Sequence, residues 1–178
     1  MKNSKYALVA MLAVLAAATA SAQSMHKDSG YYGEIGYTAM SLKNSNNGFD
    51  ATPKLARFMV GKDINDNLSV EGMYGTTVSK GNSLGVDTSV DTYGIFLKPK
   101  MEVAKDTEIF ARVGWVHLKE KETLNGVSVS SSGSDAGYEL GIQTKFTKDV
   151  YGQLDYMNYY DKNSGTAKGF TVSIGTRF

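Results

Sequence analysis

The sequence has no cysteine, two prolines and two histidines, and each scarcity excludes something. Without cysteine there is no disulfide framework and no thiolate zinc site, although an oxidising compartment remains permitted. With so little proline, long uninterrupted strands are allowed, and the 19 glycines and 11 tyrosines favour closely packed strands with amphipathic aromatic borders. Charge of one sign is also lacking, with 19 basic residues against 18 acidic, so no polyanion-binding surface and no nucleic-acid partner is expected. Long apolar runs are missing too, apart from one near the start that falls short of the roughly 20 residues a spanning helix needs.

That first run has its own grammar. Lys2 and Lys5 precede an apolar stretch from Tyr6 to Ala18, and Ala20-Ser21-Ala22 follows as a small-x-small cleavage site. Residues 1–22 therefore read as a cleaved signal peptide. Residues 23–30 read as a short periplasmic segment, and 31–178 as one domain.

From Tyr31 onward the pattern has a period of two. Eight segments alternate an apolar face with a polar or glycine face: YYGEIGYTAM, KLARFMVGK, LSVEGMYG, DTYGIFLK, EIFARVGWVH, AGYELGIQTK, VYGQLDYM and GFTVSIGTRF. The connections DIND, PKMEVAKD and FTKD are compact. Residues 42–53, 76–87, 119–134 and 158–168 are longer, polar stretches, expected to be long extracellular loops. Inside 119–134, Asn125-Gly126 is a hairpin signal that lets strands extend beyond a membrane. An even strand count with short turns at one end and long connections at the other predicts an all-β chain: an eight-stranded antiparallel up-and-down transmembrane β-barrel, apolar face outward.

Parity assigns the rest. The inward face carries Glu34, Arg57, Glu71, Lys98, Glu108, Arg112, Glu139, Lys145, Asp155 and Arg177, a candidate lumen charge network. Strand order suggests Glu71 between Arg57 and Lys98, and Arg177 beside Glu34 and Asp155. Tyr74, Tyr93, Trp115, Tyr138 and Tyr156 fall outward near strand ends, as membrane-interface aromatics do. His117 points outward with Trp115 and has no serine beside it in sequence, so it reads as an interfacial residue. DINDN starts like a calcium loop but lacks its glycine and closing glutamate, and reads as a tight turn. No metal, cofactor or catalytic constellation is expected.

These residues resemble the small eight-stranded outer-membrane proteins: the OmpA transmembrane domain, the OmpX type and the opacity-related surface antigens. The resemblance runs from Tyr31 to Phe178 through DINDNLSVEGMYG, LKP, IFARVGW, FTKDVYGQLDYM and the terminal GFTVSIGTRF. It implies that Phe170, Val172, Ile174 and Phe178 form the signal read by the barrel-assembly machinery. It also implies that Glu71, Lys98 and Arg112 match a lumen carboxylate and its bases, whereas Gln143 and Gln153 replace charges of that pattern. The implied protein is a non-enzymatic, monomeric outer-membrane component with a surface-interaction role, in contact with lipid, lipopolysaccharide and an extracellular ligand. A small-solute porin is the alternative, and a lipid-modifying enzyme a more distant one.

Overall fold

The computed structural model describes residues 30–46 and 48–178. The signal peptide, His26 and nearly all of the 23–30 segment lie outside the described residues. Ten strands follow in chain order: β1 (Tyr31–Asn44), β2 (Phe49–Ala51), β3 (Lys54–Asn65), β4 (Leu68–Ser79), β5 (Gly81–Ser83), β6 (Val86–Ala104), β7 (Thr107–Leu124), β8 (Val127–Lys145), β9 (Val150–Lys162) and β10 (Gly165–Arg177). Eight of them form the barrel, and β2 and β5 are three-residue strands at its rim. Neighbours pair antiparallel in the order β1-β3-β4-β6-β7-β8-β9-β10. Pairing of β10 with β1, from Tyr32 opposite Arg177 to Asn44 opposite Gly165, closes the sheet and removes the edges of its first and last strands.

The apolar side chains lie outside. Leu140 is 71% exposed and Ile95 66%, while Arg57 and Arg112 inside are at most 1% exposed. This inverts a soluble protein, and only a hydrocarbon surround makes such a surface favourable.

The connections correct the sequence reading. The four stretches expected to be long loops are mostly ladder: β7 runs to Leu124 and β8 resumes at Val127, so Asn125 and Gly126 alone make the turn, both with positive φ. Asn163-Ser164 joins β9 to β10 in the same conformation, and Leu84-Gly85 joins β5 to β6. Such two-residue turns match the twist of the flanking strands, so alternation continues where polarity suggested a loop. At the opposite end, PKMEVAKD also contracts, because β6 continues to Ala104.

Strands β6, β7 and β8 have 19, 18 and 19 residues against 12 to 14 in the other barrel strands. A membrane strand needs about 9–11. The upper parts of these three therefore rise beyond the barrel as a sheet, in β7 from Glu120 to Leu124, about 17 Å at the usual rise per residue. β8 pairs with β9 only from Tyr138 downward, which leaves the upper edge of β8 outside the ladder.

Candidate functional site

The interior is filled in two layers. Toward the end where β1 begins and β10 stops, seven charged side chains meet, from β1 (Glu34), β3 (Arg57), β4 (Glu71), β6 (Lys98), β7 (Arg112), β8 (Glu139) and β9 (Asp155). Arg112 is the hub. Its Nε donates to Glu71, Nη1 to Glu139, and Nη2 to Glu34 at 3.0 Å. Arg57 donates to Glu139 at 2.9 Å and grips both Asp155 oxygens, at 3.0 and 2.5 Å. Lys98 lies 3.3 Å from both Glu34 and Glu71 and donates to Gln143 at 3.0 Å and Gln153 at 3.3 Å. Three cations thus face four carboxylates where little water reaches, so each charge needs a partner to persist.

Tyrosines extend the network. Tyr32 donates to Glu71 at 2.6 Å and Tyr151 to Glu34 at 2.8 Å. Their rings lie where the neighbouring strands carry glycine. A Cβ on Gly61 would stand 2.3 Å from the Tyr32 ring, and one on Gly175 would stand 2.3 Å from that of Tyr151. Phe110 supplies a ring face to Lys98 at 4.5 Å and to Arg112 at 4.7 Å.

The second layer lies toward the rim and is apolar. Met40, Leu55, Met59, Met73, Phe96, Val116, Met157 and Tyr159 pack into one buried cluster. Sequence reasoning missed this layer. Parity already placed these residues inward, but single methionines scattered over separate strands give no local signal that they meet.

The expected pairings needed correction. Arg57 reaches across the lumen to Glu139 and Asp155, so Glu71 is held by Arg112 and Lys98. Arg177 lies beside neither Glu34 nor Asp155. It bridges Asp63, which also accepts from Lys100 at 2.7 Å and from Ser69 at 2.6 Å. The stagger of the strands carries Arg177 opposite Tyr32, one inward position nearer the start of β1 than Glu34, so it meets the turn region of β3 instead. Glu108 and Lys145 form their own pair at 3.3 Å. Asp63, read from sequence as part of a tight turn, is the member that reading missed.

Outside, Tyr74, Tyr93, Trp115, Tyr138 and Tyr156 are all about half exposed. His117 packs at a tilt against Tyr93 with ring centroids 4.9 Å apart, and its Nδ1 lies 2.9 Å from Ser134 Oγ. The serine absent from the local sequence is supplied by β8 through its register with β7. No carboxylate pairs with this imidazole among the described residues. Phe170 and Val172 face outward, Ile174 is half-buried, and the Phe178 amide donates to the Tyr31 carbonyl at 3.0 Å. Among the described residues no group of three or more ligating side chains could hold a metal.

Comparison with known proteins fits this geometry. The family described as outer membrane protein beta-barrel domain matches residues 10–178. A search of curated protein sequences finds no match. Among solved structures, Neisserial surface protein A superposes with a TM-score of 0.73 at 16% identity, over 84% of this chain and 98% of that one. The attachment invasion locus protein Ail of Yersinia pestis superposes with 0.65 at 20% identity, over 84% and 99%. The outer membrane protein OprG of Pseudomonas aeruginosa gives 0.57 at 10% identity, over 84% and 96%. At these identities the likeness is one of fold.

Proposed function

Because this chain belongs to the outer membrane protein β-barrel family, and so resides in the cell outer membrane, we propose that it is a non-enzymatic structural and surface-interaction protein with a closed lumen. The observation that carries this reading is the double filling of the interior. An ionic layer built around Arg112 lies beneath an apolar layer built from methionines, and eight strands leave no space for a third, aqueous path. The barrel then acts as a pedestal for the β6–β8 sheet, whose polar outer surface and upper β8 edge face the medium. Ail and Neisserial surface protein A, a surface protein by name, share the barrel fold.

In this reading residues 1–22 are removed on export, 23–30 lie in the periplasm, and the terminal Phe170, Val172, Ile174 and Phe178 are recognised by the barrel-assembly machinery. Lipid and lipopolysaccharide surround a monomer. His117 and Ser134 lack the acidic partner that would orient an imidazole for general-base work, which argues against lipid-modifying chemistry.

The test is planar-bilayer recording on the refolded mature chain. The expected trace is quiet, with at most rare small openings. A large, steady conductance would replace this reading with that of a small-solute porin.

A further inference from the structure

Above the methionine layer, where the β6–β8 sheet overhangs the rim, lies a cavity of about 210 Å³. Leu42, Phe49, Leu118 and Tyr160 form much of its wall, and Glu120 and Glu122 enter it from β7. Alternation explains the asymmetry: Lys119 and Lys121, on the same strand, fall on the other face. Leu42 and Leu118 are buried at 4% and 8% exposure. Glu120 Oε1 is also shut off from solvent and has no hydrogen-bond partner. Beside Glu122 in the ladder, Thr88 is fully buried and its hydroxyl is likewise unpartnered.

An acidic pair in partly apolar surroundings normally recruits a cation from its own chain. Here none does so. Neither Glu120 nor Glu122 has an ion-pair partner among the described residues. Lys43 lines the cavity but pairs with Asp50 at 3.1 Å, and on the neighbouring strands Lys162 pairs with Asp135 at 2.7 Å and Lys168 with Asp161 at 3.5 Å. A bare metal ion is poorly served by two carboxylates among leucines and aromatic rings, since hard cations take six or more oxygens. An organic cation suits the acidic and apolar parts of the wall: its charge meets the carboxylates, its alkyl part the leucines, and the rings of Phe49 and Tyr160 favour positive charge, while Lys43 keeps its own partner in Asp50. The volume, that of about seven waters, suits a group of roughly seven to ten heavy atoms.

We propose that this rim cavity is a binding site for a small alkylguanidinium or alkylammonium group, held between Glu120 and Glu122 with its chain against Leu42 and Leu118. The proposal goes beyond the surface-interaction reading and needs only the barrel and its rim, so either can fail without the other. The cation could be a free solute or the side chain of a bound peptide, and the chemistry of the site is the same for both.

The test is calorimetric titration of the refolded mature chain in micelles with n-butylguanidinium, using n-butylurea as a neutral ligand of equal size. Saturable one-to-one binding in the micromolar to millimolar range is expected for the cation, with at least tenfold weaker binding of the urea. Glu120→Gln and Glu122→Gln, each first shown to keep the heat-modifiable mobility of a folded barrel, should weaken the cation at least tenfold. A short acetylated peptide with a single arginine completes the set: tighter binding than n-butylguanidinium assigns the site to a protein partner, and equal or weaker binding assigns it to a solute. Absence of saturable binding by both cations, equal binding of the urea, or undiminished binding in both folded variants would each overturn the proposal.

Discussion

At the scale of single residues, the lumen depends on where side chains are missing as much as on where they are present. Tyr151 reaches Glu34 because Gly175 leaves its ring room, and an added methyl there would meet the hydroxyl-bearing end of the ring, which its bond to Glu34 holds in place. Gly175→Ala should therefore lower unfolding stability in lipid vesicles by about 1–3 kcal/mol, as other overpacked interiors do. The same substitution at Gly126, where nothing lies within 4 Å of the added carbon, should act only through its positive φ and cost less. Glu120 supplies a residue-scale test by pH. Burial, and then the charge of Glu122, push its carboxyl up to about 6 from an ordinary 4.5. The folded state thus holds this proton more tightly than the unfolded chain, so its contribution favours folding at low pH. That contribution is lost as pH rises from about 4.5 through 6. Urea midpoints recorded across that window should fall in the wild type relative to Glu120→Gln, and parallel curves would remove Glu120 as the cause.

At the scale of elements, the β6–β7–β8 sheet divides into a part that belongs to the barrel and a part that stands on it. Above the level of Lys119 opposite Ser132, the β7–β8 hairpin is no longer needed to close the wall. Excising residues 121–130 and joining Glu120 to Ser131 through an Asn-Gly turn should therefore leave refolding yield and heat-modifiable mobility intact, while abolishing any adhesion that depends on the raised sheet. Below that level each outward residue is in the wall itself. Val113 is 57% exposed and lies in register with Leu97 and Tyr138. A Val113→Arg change should cost roughly 2–4 kcal/mol in lipid near mid-membrane. Equal folding of that variant in detergent-free buffer would contradict the outward apolar face.

At the scale of the whole molecule, closure makes the interior a shared property of all eight barrel strands. Removing Arg112 would strip Glu34, Glu71 and Glu139 of a common donor, and an uncompensated buried charge costs about 3–5 kcal/mol. Arg112→Ala should therefore unfold at markedly lower denaturant than wild type. In bilayers it should still conduct little, because the methionine layer is untouched. A double change of Arg112 and Met157 to alanine opens both layers and should be the variant in which conductance appears. A pore in Arg112→Ala alone would mean that the apolar layer does not seal.

The sequence by itself determined the membrane-facing inversion, the number of barrel strands and the side of the sheet on which each residue falls. All three follow from a period of two, which is local and survives in every strand regardless of its neighbours. It did not determine where strands stop, since Asn125-Gly126 and Asn163-Ser164 let the ladder run through stretches whose polarity looked like loop. Nor could it say which inward charges meet. Alternation puts Arg57, Glu71, Glu139 and Arg177 inside, but their partners depend on the stagger between strands and on reach across the lumen. A shift of one residue pair anywhere in the closed ring would change every contact, and only the folded barrel fixes that stagger. The rim cavity lies furthest from the sequence signal: Glu120 sits in an ordinary alternating run of charges, and it becomes an unpaired acid in a partly apolar pocket only when β1, β2, β8, β9 and β10 come together around it.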